Sequence, residues 1–205
     1  MPESFRIKNY DELKRVTNNT EVLWKNARGI APDSVADKMD AAMLKWITEL
    51  TNALEIWLQK GIDLTDGELI LARTNIGSLT ECWLKFFYCA FYEDYLTNPK
   101  LSKGKIVEPN KMSFEDLKTF SIGILWDDDQ DDYYKWVDKI QHQRNSIHAF
   151  NYRDIGTALE FLEDVDILYE FVDLIEMRLP PLEDCIDAYP AGYQFKSTDD
   201  SGLLF

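Results

Sequence analysis

The sequence predicts an all-α protein: four or five long helices packed up and down. Three observations predict it. Apolar residues recur at steps of three and four through several long windows, which is the spacing of one helical face. Glycine and proline number only 9 and 7 in 205 residues, favouring long uninterrupted elements over tight turns. A hydrophobic share of 45% with 13% aromatic residues supplies a core for one domain and argues against disorder of the whole.

The elements follow in order. Residues 1–31 read as an N-terminal extension, with a short helix around Tyr10–Val16 and a turn at Asn18-Asn19-Thr20. Pro32-Asp33-Ser34 opens the first strong helix, with Asp33 or Ser34 as its N-cap. Its apolar stripe runs Val35, Met39, Met43, Trp46, Leu50, Ala53 or Leu54, and Trp57, and it ends near Lys60-Gly61. A second helix starts after Leu64-Thr65-Asp66 and runs to about Leu96, apolar on most sides from Ile76 to Tyr92. Such a helix is central to its bundle or lies in a dimer interface. Gly77 and Ser78 weaken it by about 1 kcal/mol of propensity, which close approach of a neighbouring helix would offset.

Residues 97–112 read as a loop, broken by Pro99, Gly104 and Pro109. Its charge reverses that of the chain: Lys100, Lys103, Lys105 and Lys111 stand against Glu108 alone. Ser113-Phe114-Glu115-Asp116 is a capping-box variant that starts a short helix to about Ile122. The acidic run Asp127–Asp132 reads as a solvated turn and helix start, because it lacks the glycine and closing glutamate of a calcium loop. A further long helix spans about Asp131–Phe150. The last runs from about Ile155 to Leu179, where Pro180-Pro181 stops it. The bundle is thus assigned to residues 32–181, and residues 182–205 to an acidic C-terminal tail.

The formal charge is −15. A field of that sign repels nucleic acid and excludes a general DNA- or RNA-coating module. An acidic protein that acts on RNA needs a local basic entrance, and the lysine loop is the candidate for it. The polar start of the chain and the lack of a long apolar run predict neither a secretory signal nor a membrane span, hence a cytoplasmic protein. Cys82, Cys89 and Cys185 are odd in number and lack zinc spacing. They read as free thiols, with no metal and no cofactor implied.

The chemistry concentrates in Gln143-Arg144-Asn145-Ser146-Ile147-His148-Ala149-Phe150, which holds a permanent cation, an amide and one of two histidines. Helical residues four apart share a face, so Arg144 and His148 are expected to point the same way. Guanidinium, amide and imidazole suit holding a phosphodiester and moving its protons. The same three also suit a polar clamp between helices, with Arg144 paired to Glu81. The remaining histidine, His142, reads as a surface residue off that face.

Placed near the end of the penultimate long helix, Arg144-Asn145-Ser146-Ile147-His148 resembles the signature of the HEPN (higher eukaryotes and prokaryotes nucleotide-binding) superfamily. Glu81-Cys82-Trp83-Leu84-Lys85 resembles its companion pattern on the second long helix. The resemblance covers roughly residues 35–180. It implies a helical bundle, usually a homodimer, and in the catalytic members a metal-independent endoribonuclease of the toxin or phage-defence type, often paired with an antitoxin or another protein. It implies further that Arg144 binds the phosphoryl oxygens, Asn145 positions the substrate, His148 transfers protons and Glu81 orients Arg144, with RNA led in by Lys100, Lys103, Lys105 and Lys111. Catalytically silent members, which act as interaction or nucleotide-binding modules, are common too. Here three residues separate arginine from histidine, fewer than the usual spacing. Phe150 stands where some toxin members carry a modifiable tyrosine.

Overall fold

A computed structural model describes residues 9–182 and 189–194. The chain is all-α, as the periodicity predicts. Among the described residues there are eight α-helices: α1 (Tyr10–Trp24), α2 (Asp33–Ala41), α3 (Leu44–Lys60), α4 (Asp66–Ala90), α5 (Tyr92–Thr97), α6 (Phe114–Phe120), α7 (Asp132–Arg144) and α8 (Ala158–Glu176). The only sheet described is a hairpin of β1 (Leu101–Ser102) and β2 (Lys105–Ile106). None of these helices is long and apolar enough to cross a membrane.

Helix α4 is the axis of the bundle. It packs against α2, α3, α5, α6, α7 and α8, and Ile76, Leu79 and Leu84 have no exposed surface. Its start is fixed by a reciprocal cap: Thr65 Oγ1 accepts from Glu68 N while Glu68 accepts from Thr65 N, satisfying two amides that the first turn leaves orphaned. Its aromatic run is core: Trp24, Phe86 and Trp83 meet edge to face, as do Tyr88 and Phe120.

Several boundaries differ from the periodicity. The stripe from Val35 to Trp57 is split, because Ala42 leaves the helical region (ψ 145°) and turns the chain between α2 and α3. α4 ends at Ala90 rather than near Leu96, with Phe91 at φ −100°, ψ 37° separating it from α5. α2 begins at Asp33 behind Pro32 and has no side-chain cap. α8 begins at Ala158, not Ile155, because Thr157 and Glu160 form a second capping box.

The N-terminal region contributes more than a short helix. α1 extends to Trp24, packs on α3 and α8, and buries Leu13, Val16 and Trp24. Tyr10 Oη donates to the carbonyls of Thr51 and Asn52 at 3.1 and 3.0 Å. Asn18-Asn19-Thr20, expected as a turn, lies inside α1. Tertiary bonds override its turn propensity: Asn19 exchanges two hydrogen bonds with the Gln194 backbone, and Thr20 donates to Glu176. Residues 192–194 are thereby clipped to α1, whereas the remainder of the expected tail, 183–188 and 195–205, lies outside the described residues, as does Cys185.

Candidate functional site

Helix α7 is capped by Asp131, whose carboxylate accepts from Tyr133 N at 2.8 Å, and presents Val137 and Ile140 to the core. Its C-terminal end passes close to α4. A Cβ on Gly77 would lie 2.4 Å from Arg144 Cβ and 2.6 Å from its Cγ, so only glycine permits this crossing. The compensation for a glycine in mid-helix is therefore contact with the stem of Arg144.

The α-helix ends at Arg144, and Asn145–Ile147 continue as a 3-10 turn. This overturns the expectation that Arg144 and His148 share an α-helical face. In a 3-10 turn residues three apart eclipse, so His148 follows Asn145, and its amide donates to the Asn145 carbonyl at 3.2 Å. Arg144 turns inward: Nη2 donates to Glu81 Oε2 at 3.0 Å and Nη1 to Asn145 Oδ1 at 3.3 Å. Lys85 bonds the other Glu81 oxygen at 2.8 Å. The Arg144 side chain keeps 32% of its surface and Glu81 15%. His148 is exposed, and its imidazole has no hydrogen-bond partner among the described residues.

The lysines lie elsewhere. Lys103 and Gly104 both have positive φ, 52° and 76°, which builds the tight turn that closes the β1–β2 hairpin. Lys103, Lys105 and Lys111 are exposed, while Lys100 pairs with Asp116 at 2.8 Å. Glu108 ties the segment to α2 through Lys38 at 2.6 Å. Glu81 stands nine residues before the end of α4, or ~14 Å along its axis, and the loop begins beyond α5. Glu81, Arg144 and Asn145 are thus joined, with His148 next to them in the chain. No hydrogen bond or ion pair links Lys100, Lys103, Lys105 or Lys111 to them among the described residues.

A different stretch of the chain, basic in sequence, contains the motif. From Lys139 to Arg153 the chain contains no acidic residue, yet it carries Lys139, Arg144, Arg153 and both histidines. Phe150 and Tyr152 stand almost free of contacts, 99% and 94% exposed. Cations interleaved with exposed aromatic rings suit an anionic strand with stackable bases. The signal was in the sequence as an acid-free window in a chain of charge −15.

Joined to this stretch is a buried charge cluster that periodicity analysis passed over. Arg73 and Asp164 are wholly buried and paired. Arg73 Nε donates to the Ile155 carbonyl at 3.0 Å, and Asp164 also accepts from Trp136 Nε1 at 2.9 Å and from Lys139. The cluster ties α4, α7 and α8 to the segment that follows the motif. Its sequence signal was a charged residue on each of two apolar stripes, Arg73 among Leu69, Ala72 and Ile76, and Asp164 among Phe161, Val165 and Leu168. Among the described residues no group of three or more His, Cys, Asp or Glu side chains is placed to hold a metal ion.

No protein-family model, curated protein or solved structure matches the chain.

Proposed function

We propose that the chain is an RNA-cleaving helical module of the HEPN type, working as a homodimer in the cytoplasm, with Arg144, Asn145 and His148 at its site. The observation that supports this reading is the exposed, unpartnered His148 within the acid-free segment Lys139–Arg153. Cleavage would be internal transesterification. A ribose 2′-hydroxyl gives up its proton and attacks the adjacent phosphorus, a cyclic phosphate forms, and the 5′-oxygen leaves with a proton. Base, acid and charge stabilisation are all required. Arg144, held by Glu81, has guanidinium donors left for the phosphoryl oxygens. One His148 supplies one proton-transfer group, so the second comes from a partner copy.

The decisive experiment incubates varied RNAs with the purified chain in EDTA and with its His148→Ala variant. Cleavage by the parent and none by a variant of unchanged melting temperature supports the reading. An intact protein that leaves all substrates uncut sinks it. A second reading, a non-catalytic module that binds an antitoxin or another protein, draws support from the Arg144–Glu81 pair, since it occupies part of the guanidinium. Under that reading Arg144→Ala weakens partner binding and lowers the melting temperature, and His148→Ala changes neither.

A further inference from the structure

The two most exposed large apolar side chains among the described residues are Phe150 and Tyr152, at 99% and 94%. Every other described phenylalanine is buried or half-buried. Neither ring meets another ring or a cation, and Tyr152 Oη has no hydrogen bond, among the described residues. A single exposed apolar side chain is ordinary. Two bare rings at i and i+2 offer roughly 300–500 Å² of contact area, the size of a functional patch.

The backbone ties both rings to the motif. Ile147 through Asp154 are all exposed. Phe150 N donates to the His148 carbonyl at 2.6 Å, a three-residue turn that holds the Phe150 backbone against that of His148. The Tyr152 Cα follows within about 7 Å of the Phe150 Cα. Arg153 comes next, exposed and without an ion pair or hydrogen bond among the described residues. It differs in this from Lys139 and Arg144, which Asp164 and Glu81 engage. A free cation, a free imidazole and two bare rings thus fall within residues 148–153.

Charge and ring chemistry choose the occupant. A second copy set face to face on this segment would oppose Arg153 to Arg153 and His148 to His148, with no carboxylate from Lys139 to Arg153 to answer them. An anionic membrane calls for a cluster of cations, and here one is free in a chain of charge −15. A nucleotide strand answers both features, since its phosphates suit Arg153 and every base has a π-face for a ring. Bases in a duplex are already stacked on one another, so the strand is unpaired there. We propose that Phe150 and Tyr152 stack on unpaired bases of an RNA strand and so bring the adjoining phosphodiester to His148. The presence of RNA rests on the nuclease reading above; the rings are positioning residues that hold the strand and transfer no proton.

The test is fluorescence anisotropy of the whole chain, at one fixed salt concentration, with a labelled 2′-O-methyl single strand that cannot be cut. An abasic version of the same strand is titrated beside it. Phe150→Leu is expected to weaken binding of the base-carrying strand at least about fivefold, and Phe150→Trp to restore it. On the abasic strand Phe150→Leu and the parent should bind alike, and the melting temperature should not move, because the ring packs on nothing. Unchanged binding in the double variant Phe150→Leu, Tyr152→Leu overturns the proposal. So does an equal loss on the abasic strand, a loss that tracks dissociation of a dimer in sedimentation, or a loss seen only with anionic phospholipid vesicles. RNA cut at the parental rate by the double variant sinks the stacking and spares the nuclease reading. A strand bound through Phe150 while natural RNA is never cut does the reverse.

Discussion

Gly77 and Arg144 meet where α4 crosses α7, so closely that a single methyl on Gly77 would fall 2.4 Å from Arg144 Cβ. Gly77→Ala gains up to ~1 kcal/mol of helix propensity. The clash is with Cβ and Cγ of a residue at the end of its helix, so it cannot be relieved by a flexible side-chain tip. The expected result is a net loss of about 1–3 kcal/mol and a displaced Arg144. Urea denaturation measures it; a variant as stable as the parent would show that α7 has room to move.

The buried pair Arg73–Asp164 yields a second prediction. Asp164→Ala leaves Arg73 as an uncompensated charge with no exposed surface and should cost about 3–5 kcal/mol. Replacing both partners, Arg73→Met with Asp164→Leu, removes the stranded charge and should recover much of that loss, short of the bonds that Trp136 and Lys139 make to Asp164. A double variant no more stable than Asp164→Ala would refute the assignment of the loss to desolvated charge.

What was legible in the sequence is what depends on spacing. The central, all-round apolar character of α4 could be read from Ile76–Tyr92, and the start of α6 from Ser113, whose hydroxyl accepts from Asp116 N at 3.1 Å. What depends on tertiary partners was not legible. Nothing local at Ala42-Met43 marks the break between α2 and α3, and Asn19 looks like a turn residue until Gln194 is beside it. At the site, the pattern of apolar positions ran straight through Arg144–Phe150, while the backbone tightened to a 3-10 turn and set His148 apart from Arg144. The Thr157–Glu160 capping box was the one missed boundary whose signal was entirely local.

The thiols should be inert. Burial pushes Cys89 up to about 11 from an ordinary value of 9.0, about a hundredfold less thiolate at a given pH below both values. Burial first, then the Glu81 carboxylate, raises Cys82 as well. In a Cys185→Ser variant, an aromatic disulfide reagent at about pH 8 should therefore label the native protein far more slowly than the same protein unfolded in guanidinium. Rapid labelling of Cys89 in the folded state would contradict its burial.

The attachment of the lysine loop to α2 should weaken in acid. The hydrogen bond from Lys38 holds the Glu108 carboxyl below its ordinary 4.5; burial opposes the shift and the Tyr92 hydroxyl assists it. Asp116 is lowered in the same way, first by Lys100 and then by Ser113. With a depressed folded pKa, the unfolded chain binds more protons in the window between the two values. The stabilisation is therefore present above about pH 4.5 and is lost as pH falls through the folded value. Lys38 acts at the other end of the scale. Burial pulls its ammonium down, but the Glu108 carboxylate more than offsets this and leaves it raised, so its share persists below 10.5 and fades as pH rises through the folded value. Both side chains of the pair are partly solvated, which limits its worth to ~0.2–1 kcal/mol. Glu108→Gln should cost that amount at about neutral pH and nothing well below the carboxyl range. Parallel urea titrations in neutral and acid buffer test it: a deficit in Glu108→Gln that stays constant between the two would show that charge is not what holds the loop to α2.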